Sequence, residues 1–291
     1  MDERAALSLV GEHVDAAGDD CAVVDGLVVT TDMLHETTDF PDGTTRYTAG
    51  WRAVGASLSD VAAMGAEATA ALAVYGAPEF RDDEIADFLR GCTDVCEAVG
   101  TEYVGGDLDG HEEFTVSTTA LGETDSPVYR SGAEPGDTVC VTGTVGRSGA
   151  ALRLFEAGNT ERANDLFRFE PRIATGRTLE TYATAMMDSS DGLARSLHQL
   201  AEASDCGFDI AYDAVPIDPS VDEVARDSDD RRELGIHFGE DFELVCTLPS
   251  EAVEEANAAA PVEVTKIGTV AEADRGITID GEPLSDRGYT H

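Results

Sequence analysis

Short apolar, β-branched runs alternate with longer stretches of helical periodicity along almost all of the 291-residue chain. A strand repeats its apolar face every second residue and a helix about every 3.6. Each must bury that face against a neighbouring layer, so the alternation specifies an α/β fold. "CAVVDGLVVTTD" predicts two strands around an Asp-Gly turn, the second ending at Asp32. From Ala49 to Met64, Trp51, Val54, Leu58, Val61 and Ala62 recur at helical spacing, and Gly65 stops the run. The strand "ATAALAVYGAP", the amphipathic helix "RDDEIADFLRGCTDVCEAVG", a short strand "TEYVGGD" entering a glycine pair, and "FTVSTTALG" complete a first half.

The segment "SPVYRSGAEPGD", rich in Pro, Gly and Ser, precedes the new strand "TVCVTG" and marks a domain boundary. We divide the chain at 1–130 and 131–291. The second unit reads as helices from Ser148 to Glu156 and around 171–182, then the strand "TAMMD" and a helix from Gly192. "GFDIAYD", "DFELVCTLP", a helix after Pro249, "VEVTKIGTV" and "GITID" follow. Acidic clusters such as "ARDSDDRREL" read as solvated faces or loops.

Charge narrows the setting. Fifty-nine acidic residues face 19 basic ones, for a net charge of −40, and Lys266 is the only lysine. Such self-repulsion penalises the compact state at low salt, whereas ~1 M salt shortens the screening length to about 3 Å. The composition points to the salt-rich cytoplasm of an extreme halophile, and it argues against binding nucleic acid or an anionic membrane surface. No run reaches the ~18 apolar residues of a membrane span, and the N-terminus lacks a secretion signal, so a cytoplasmic protein is expected. The six cysteines are scattered, mostly in apolar contexts, and read as reduced core residues rather than a zinc set.

Six aspartates stand where strands end or glycines bring backbone close: Asp20, Asp32, Asp60, Asp107, Asp188 and Asp191. Carboxylates at strand ends hold hard cations beside phosphates. An isolated aspartate at a turn is more often a turn former or an N-cap, and Asp191 could cap the helix that follows it. Their glycine neighbours in "GDD", "AMGA", "VGGD" and "DGL" would let a phosphate reach main-chain N–H groups without any lysine. A P-loop and a kinase-type strand lysine are both excluded, because the one lysine lies in "VTKIG".

Taken in order, "GDDCAVV", "TTDMLHETTDF", "WRAVGASLSDVAAMGAE", "VGGD", "YRSGAEPGDTVCVTGTVGRSGAAL", "EPRIATGR", "MMDSSDGLARSLHQLAEASDCG", "GEDFELVCTLP", "KIGTV" and "RGY" cover nearly the whole chain. This ordered set resembles the thiamine-monophosphate kinase family, within the superfamily of aminoimidazole-ribonucleotide synthetase. The resemblance implies a two-domain PurM-like fold, with N-terminal domains pairing in a homodimer. It also implies Mg²⁺-dependent transfer of the ATP γ-phosphate to thiamine monophosphate, the last step of thiamine diphosphate biosynthesis. Position by position it implies metal ligands at Asp20, Asp32, Asp60, Asp107, Asp188 and Asp191, with Asp188, Asp191 and Arg130 catalytic. ATP contacts would come from Thr30, Thr31, Gly106, Asp107, Arg130 and Ser190, and substrate contacts from Asp39, Glu240 and Tyr289. Asp39 stands where the family usually has histidine, and Asp286 where it has an aromatic residue before its C-terminal "KGY".

Two alternatives compete with this reading. One is another ATP-using enzyme of the same superfamily, such as selenophosphate synthetase, the hydrogenase-maturation dehydratase or aminoimidazole-ribonucleotide synthetase. Each would need a reactive or C-terminal cysteine, or a lysine-containing segment, that this chain lacks. The other is a non-catalytic nucleotide or thiamine-phosphate binding protein, which the complete aspartate set disfavours.

Overall fold

The computed structural model describes residues 9–11, 13–14 and 16–288. Strands β1 (Ala22–Val24), β2 (Leu27–His35), β3 (Glu67–Ala77), β4 (Tyr103–Gly110) and β5 (Thr115–Glu123) form a sheet in the order β1-β2-β5-β3-β4. All its pairs are antiparallel except β3–β4, where the helix Asp82–Ala98 makes the crossover that a parallel pair requires. The helix α1 (Arg46–Ala63) buries Ala49, Ala53, Val54, Leu58, Val61 and Ala62 beneath this sheet. Thr45 caps it by accepting the Thr48 N–H at 3.1 Å.

A second sheet, ordered β12-β11-β8-β10-β6-β9-β7, is built from β6 (Thr138–Thr142), β7 (Ala185–Asp188), β8 (Cys206–Ile210), β9 (Leu244–Leu248), β10 (Val264–Glu272), β11 (Ile277–Ile279) and β12 (Glu282–Pro283). Strands β6, β7 and β9 are buried at every position, which explains their unbroken apolar reading. The two sheets with their covering helices form a two-domain, mixed α/β fold. Among the described residues no helix is long and apolar enough to cross a membrane. The six cysteines are buried and unpaired, and burial pushes the Cys96 and Cys140 thiols up to about 12.

Four expectations are corrected. Strand β2 continues past Asp32 to His35, because its ladder with β5 holds through His35↔Thr115, so Asp32 lies within the strand. Strand β4 runs through the glycine pair to Gly110. Gly106 is needed there, since a Cβ at φ +156° would lie 1.6 Å from the Ala73 carbonyl oxygen. Strand β9 begins only at Leu244, since Glu240 and Phe242 adopt positive φ and break the extended backbone. In "ARDSDDRREL", Ser228–Arg232 is helical and Asp230 is buried, with Arg226 Nη2 at 2.5 Å and Arg153 Nη2 at 3.0 Å from its Oδ1. Those arginines replace the solvent that the run suggested.

Candidate functional site

Carboxylate oxygens of Asp20, Asp60 and Asp188 all lie within 4.8 Å of one another. They come from three separate elements: Asp20 just before β1, Asp60 from the last turn of α1, and Asp188 from the end of the buried strand β7. Asp188 Oδ1 accepts the Ser190 N–H at 3.3 Å, while its Oδ2 is buried without a hydrogen-bond partner. Thr30, from β2, donates to Asp60 Oδ2 at 2.6 Å. Ser57 Oγ, from α1, holds Asp32 Oδ2 at 2.5 Å.

Burial sets the electrostatics of this group. It pushes the Asp188 carboxyl up to about 7, with the neighbouring Asp20 adding to the shift. Burial, then the charges of Asp32, Asp188 and Asp20, raise Asp60 well above the usual carboxylate range. Asp32 is raised by burial and by Glu240, against the Ser57 hydrogen bond. Arg130 supplies the positive charge, pairing with Asp20 at 2.8 Å. An all-oxygen donor set with an orphaned buried oxygen fits a hard divalent cation, which would satisfy that oxygen and offset the crowded charge.

Glu240 lies in a tightly folded loop, 239–243. A Cβ at Gly239 would sit 2.2 Å from the Ser190 carbonyl oxygen, so only glycine lets this loop pack on the Asp188–Gly192 turn. Glu240 follows at φ +69°, with its N–H on Ser190 O at 2.5 Å, which ties the loop to the carboxylate group. The remaining acids of "GEDFE" are buried and engaged. Asp241 accepts the N–H groups of Gly146 and Ser148 at 2.5 and 2.9 Å. Glu243 takes Arg172 Nη2 at 2.5 Å and Thr142 Oγ1 at 2.6 Å.

Other candidates lie further out. Asp191 stands one residue before Gly192, which occupies the N-cap of the helix Leu193–Ser204, and it is not among the three clustered acids. Thr31 is exposed and donates to Thr118 O at 2.7 Å. Gly106 and Asp107 are exposed on the edge strand β4, beside an apolar cavity of about 350 Å³ lined by Tyr75, Phe88, Tyr103 and Leu108. Asp39 is buried, with its Oδ2 accepting the His35 N–H at 2.6 Å and the Thr38 hydroxyl at 2.7 Å, so its carboxylate braces its own turn. Tyr289 lies outside the described residues.

Sequence reading missed Arg52, Asp241, Arg172 and Glu243. Arg52 left a signal, since it falls on the helix face of Ala49 and Ala56, both buried, where a charge needs a partner.

Residues 18–124 match the family described as AIR synthase related protein, N-terminal domain, and residues 134–281 the corresponding C-terminal domain. The thiamine-monophosphate kinase of Halobacterium salinarum is 62% identical over 291 residues, 100% of either chain. That of Methanospirillum hungatei is 38% identical over 301 residues, covering 100% of this chain and 99% of the relative. Among solved structures, AaThiL complexed with AMPPCP and TMP matches with a TM-score of 0.91 and 29% identity, covering 99% of this chain and 96% of that one.

Proposed function

The chain belongs to the AIR synthase related family, and on that premise we propose that it is a thiamine-monophosphate kinase, moving the γ-phosphate of ATP onto thiamine monophosphate to give thiamine diphosphate and ADP. The observation that carries the reading is the Asp20–Asp60–Asp188 group with its orphaned Asp188 Oδ2. The kinase names and the nucleotide–TMP complex among the relatives support the same chemistry.

The acceptor is itself a phosphate whose second pKa is about 6, so its oxygen is ionised at neutral pH and needs no general base. The work left to the protein is to align two phosphates and offset their charge. Asp20, Asp32, Asp60 and Asp188, with Asp107 and Asp191, would hold Mg²⁺. When bound, Mg²⁺ supplies the positive charge that makes an acidic site attractive to polyanions. Arg130 adds a fixed guanidinium beside Asp20. Thr30, Thr31, Gly106, Asp107 and Ser190 would contact the nucleotide. Glu240 suits the cationic thiazolium ring, with Asp39 and Tyr289 on the substrate side.

The protein works as a homodimer through its first sheet. Met33, Ser117 and Val74 lie in one cross-strand row on the outer face, where Met33 and Val74 are exposed, an apolar patch that a second copy would cover. The division at 130/131 separates the two sheets, and the net charge of −40 suits a cytoplasm rich in salt.

An acceptor comparison tests the assignment. With ATP, Mg²⁺ and multimolar KCl, thiamine monophosphate should yield thiamine diphosphate, whereas unphosphorylated thiamine should yield no phosphorylated product. Turnover of thiamine but not of its monophosphate would refute the ionised-acceptor argument.

A further inference from the structure

Arg52 is the most deeply buried charged residue of α1, 1% exposed, and its guanidinium points out of the first sheet's layer toward the 239–243 loop. Nη2 donates to Glu240 Oε2 at 2.5 Å and to the Glu240 carbonyl oxygen at 3.2 Å. Nη1 donates to the Phe167 carbonyl oxygen at 2.5 Å, and the guanidinium lies 3.6 Å from the Phe167 ring centroid. Ser148 Oγ reinforces the hold by donating to the same Glu240 carbonyl at 2.6 Å. The aromatic rings of Phe169 and Phe242, stacked at 4.2 Å, close the pocket around it.

Two physical consequences follow. A non-glycine residue at φ +69° is strained, and it persists because its side chain and carbonyl are both gripped. The helix that grips Glu240 through Arg52 also carries Ser57, which holds Asp32, and Asp60 of the clustered acids. Arg52 and Asp60 are eight residues apart, about 12 Å along a rigid helix axis. One element therefore fixes the spacing between the clustered acids and Glu240.

We propose that Arg52 is a positioning residue that sets the affinity for the acceptor substrate by holding the Glu240 carboxylate in register with the clustered aspartates. This rests on the assignment of Glu240 as the acid that receives the cationic end of thiamine monophosphate. A planar, forked guanidinium serves the carboxylate, the carbonyl and Phe167 O together, which the point charge of a lysine cannot do.

Steady-state kinetics of a double-mutant cycle test it. Arg52→Lys should raise the KM for thiamine monophosphate about tenfold and leave the KM for ATP within about twofold. Glu240→Gln should also raise the thiamine monophosphate KM, and in that background Arg52→Lys should add less than about twofold. Equal loss for both substrates, an unchanged KM, or effects that multiply independently would overturn the proposal while leaving Glu240 in place. A Glu240→Gln enzyme with an unchanged KM would instead remove the assignment of Glu240 and the proposal with it. Should Arg52→Lys not fold, Ser148→Ala carries the test: a rise of about threefold or more in the thiamine monophosphate KM supports the proposal, and none overturns it.

Discussion

Arg130 grips Asp20 with two nitrogens, Nη2 on Oδ1 at 2.8 Å and Nε on Oδ2 at 3.2 Å. The pair joins residues 110 apart in sequence, and the Arg130 N–H also donates to Asp19 Oδ1 at 2.8 Å. The fork thereby fixes the segment before β1 against the segment before β6, and it places a permanent positive charge at the edge of the aspartate group.

Arg130→Ala should leave the Asp20 side chain, 0% exposed, without its cation. Unfolding free energy in Mg²⁺-free buffer should fall by about 2 kcal/mol, and kcat should fall at least about 100-fold. Thermal unfolding and steady-state assays report the two effects separately. An unchanged melting temperature would show that the pair adds nothing to the fold.

Asp60→Asn removes one charge from a group in which burial and like charges oppose ionisation. The amide oxygen can still accept the Thr30 hydroxyl, so metal-free stability should rise by about 1 kcal/mol. The melting temperature of the native protein should rise on adding Mg²⁺, that rise should vanish in the variant, and turnover should drop at least about 100-fold. An intact Mg²⁺ shift in Asp60→Asn would remove this residue from the metal set.

Asp241 gives a pH signature. Burial pushes its carboxyl up to about 7, against the Gly146 and Ser148 N–H groups that favour the charged form. The folded state thus keeps a proton that the unfolded chain releases near pH 4. Stability from this group is complete below about pH 4 and is lost as pH rises through about 7. Asp241→Asn should therefore flatten the fall in melting temperature between about pH 4 and 7. A slope as steep as that of the native protein would contradict the assignment.

The surface charge predicts salt dependence. At net −40, diluting KCl from multimolar to about 0.1 M lengthens screening to about 10 Å and should lower the melting temperature steadily. A salt-independent transition would show that the acidic surface is not under self-repulsion.

The layered fold was legible because periodicity reports directly on burial, as at α1 and at β6, β7 and β9, whose buried residues match their apolar runs. Asp20, Asp60 and Asp188 were legible as candidates because glycines and strand ends mark places a ligand can approach. Their convergence to within 4.8 Å is a tertiary fact that spacing alone does not contain. Buried ion pairs were the blind spot. Arg52 with Glu240, Arg172 with Glu243, and Asp230 with Arg226 and Arg153 each join a charge to a partner in another element or turn. In a chain this acidic, each of those carboxylates reads one-dimensionally as one more solvated surface charge. The positive φ of Glu240 and Phe242 was equally hidden, because both residues usually avoid it.

Direct phosphate transfer at the aspartate group is tested most simply by following a label. Native protein and Asp188→Asn are incubated with [γ-³²P]ATP, thiamine monophosphate and Mg²⁺ in multimolar KCl. Label should appear in the terminal phosphate of thiamine diphosphate with the native protein and stay at background with the variant. Label released only as inorganic phosphate, or an Asp188→Asn protein as active as the native one, would contradict it.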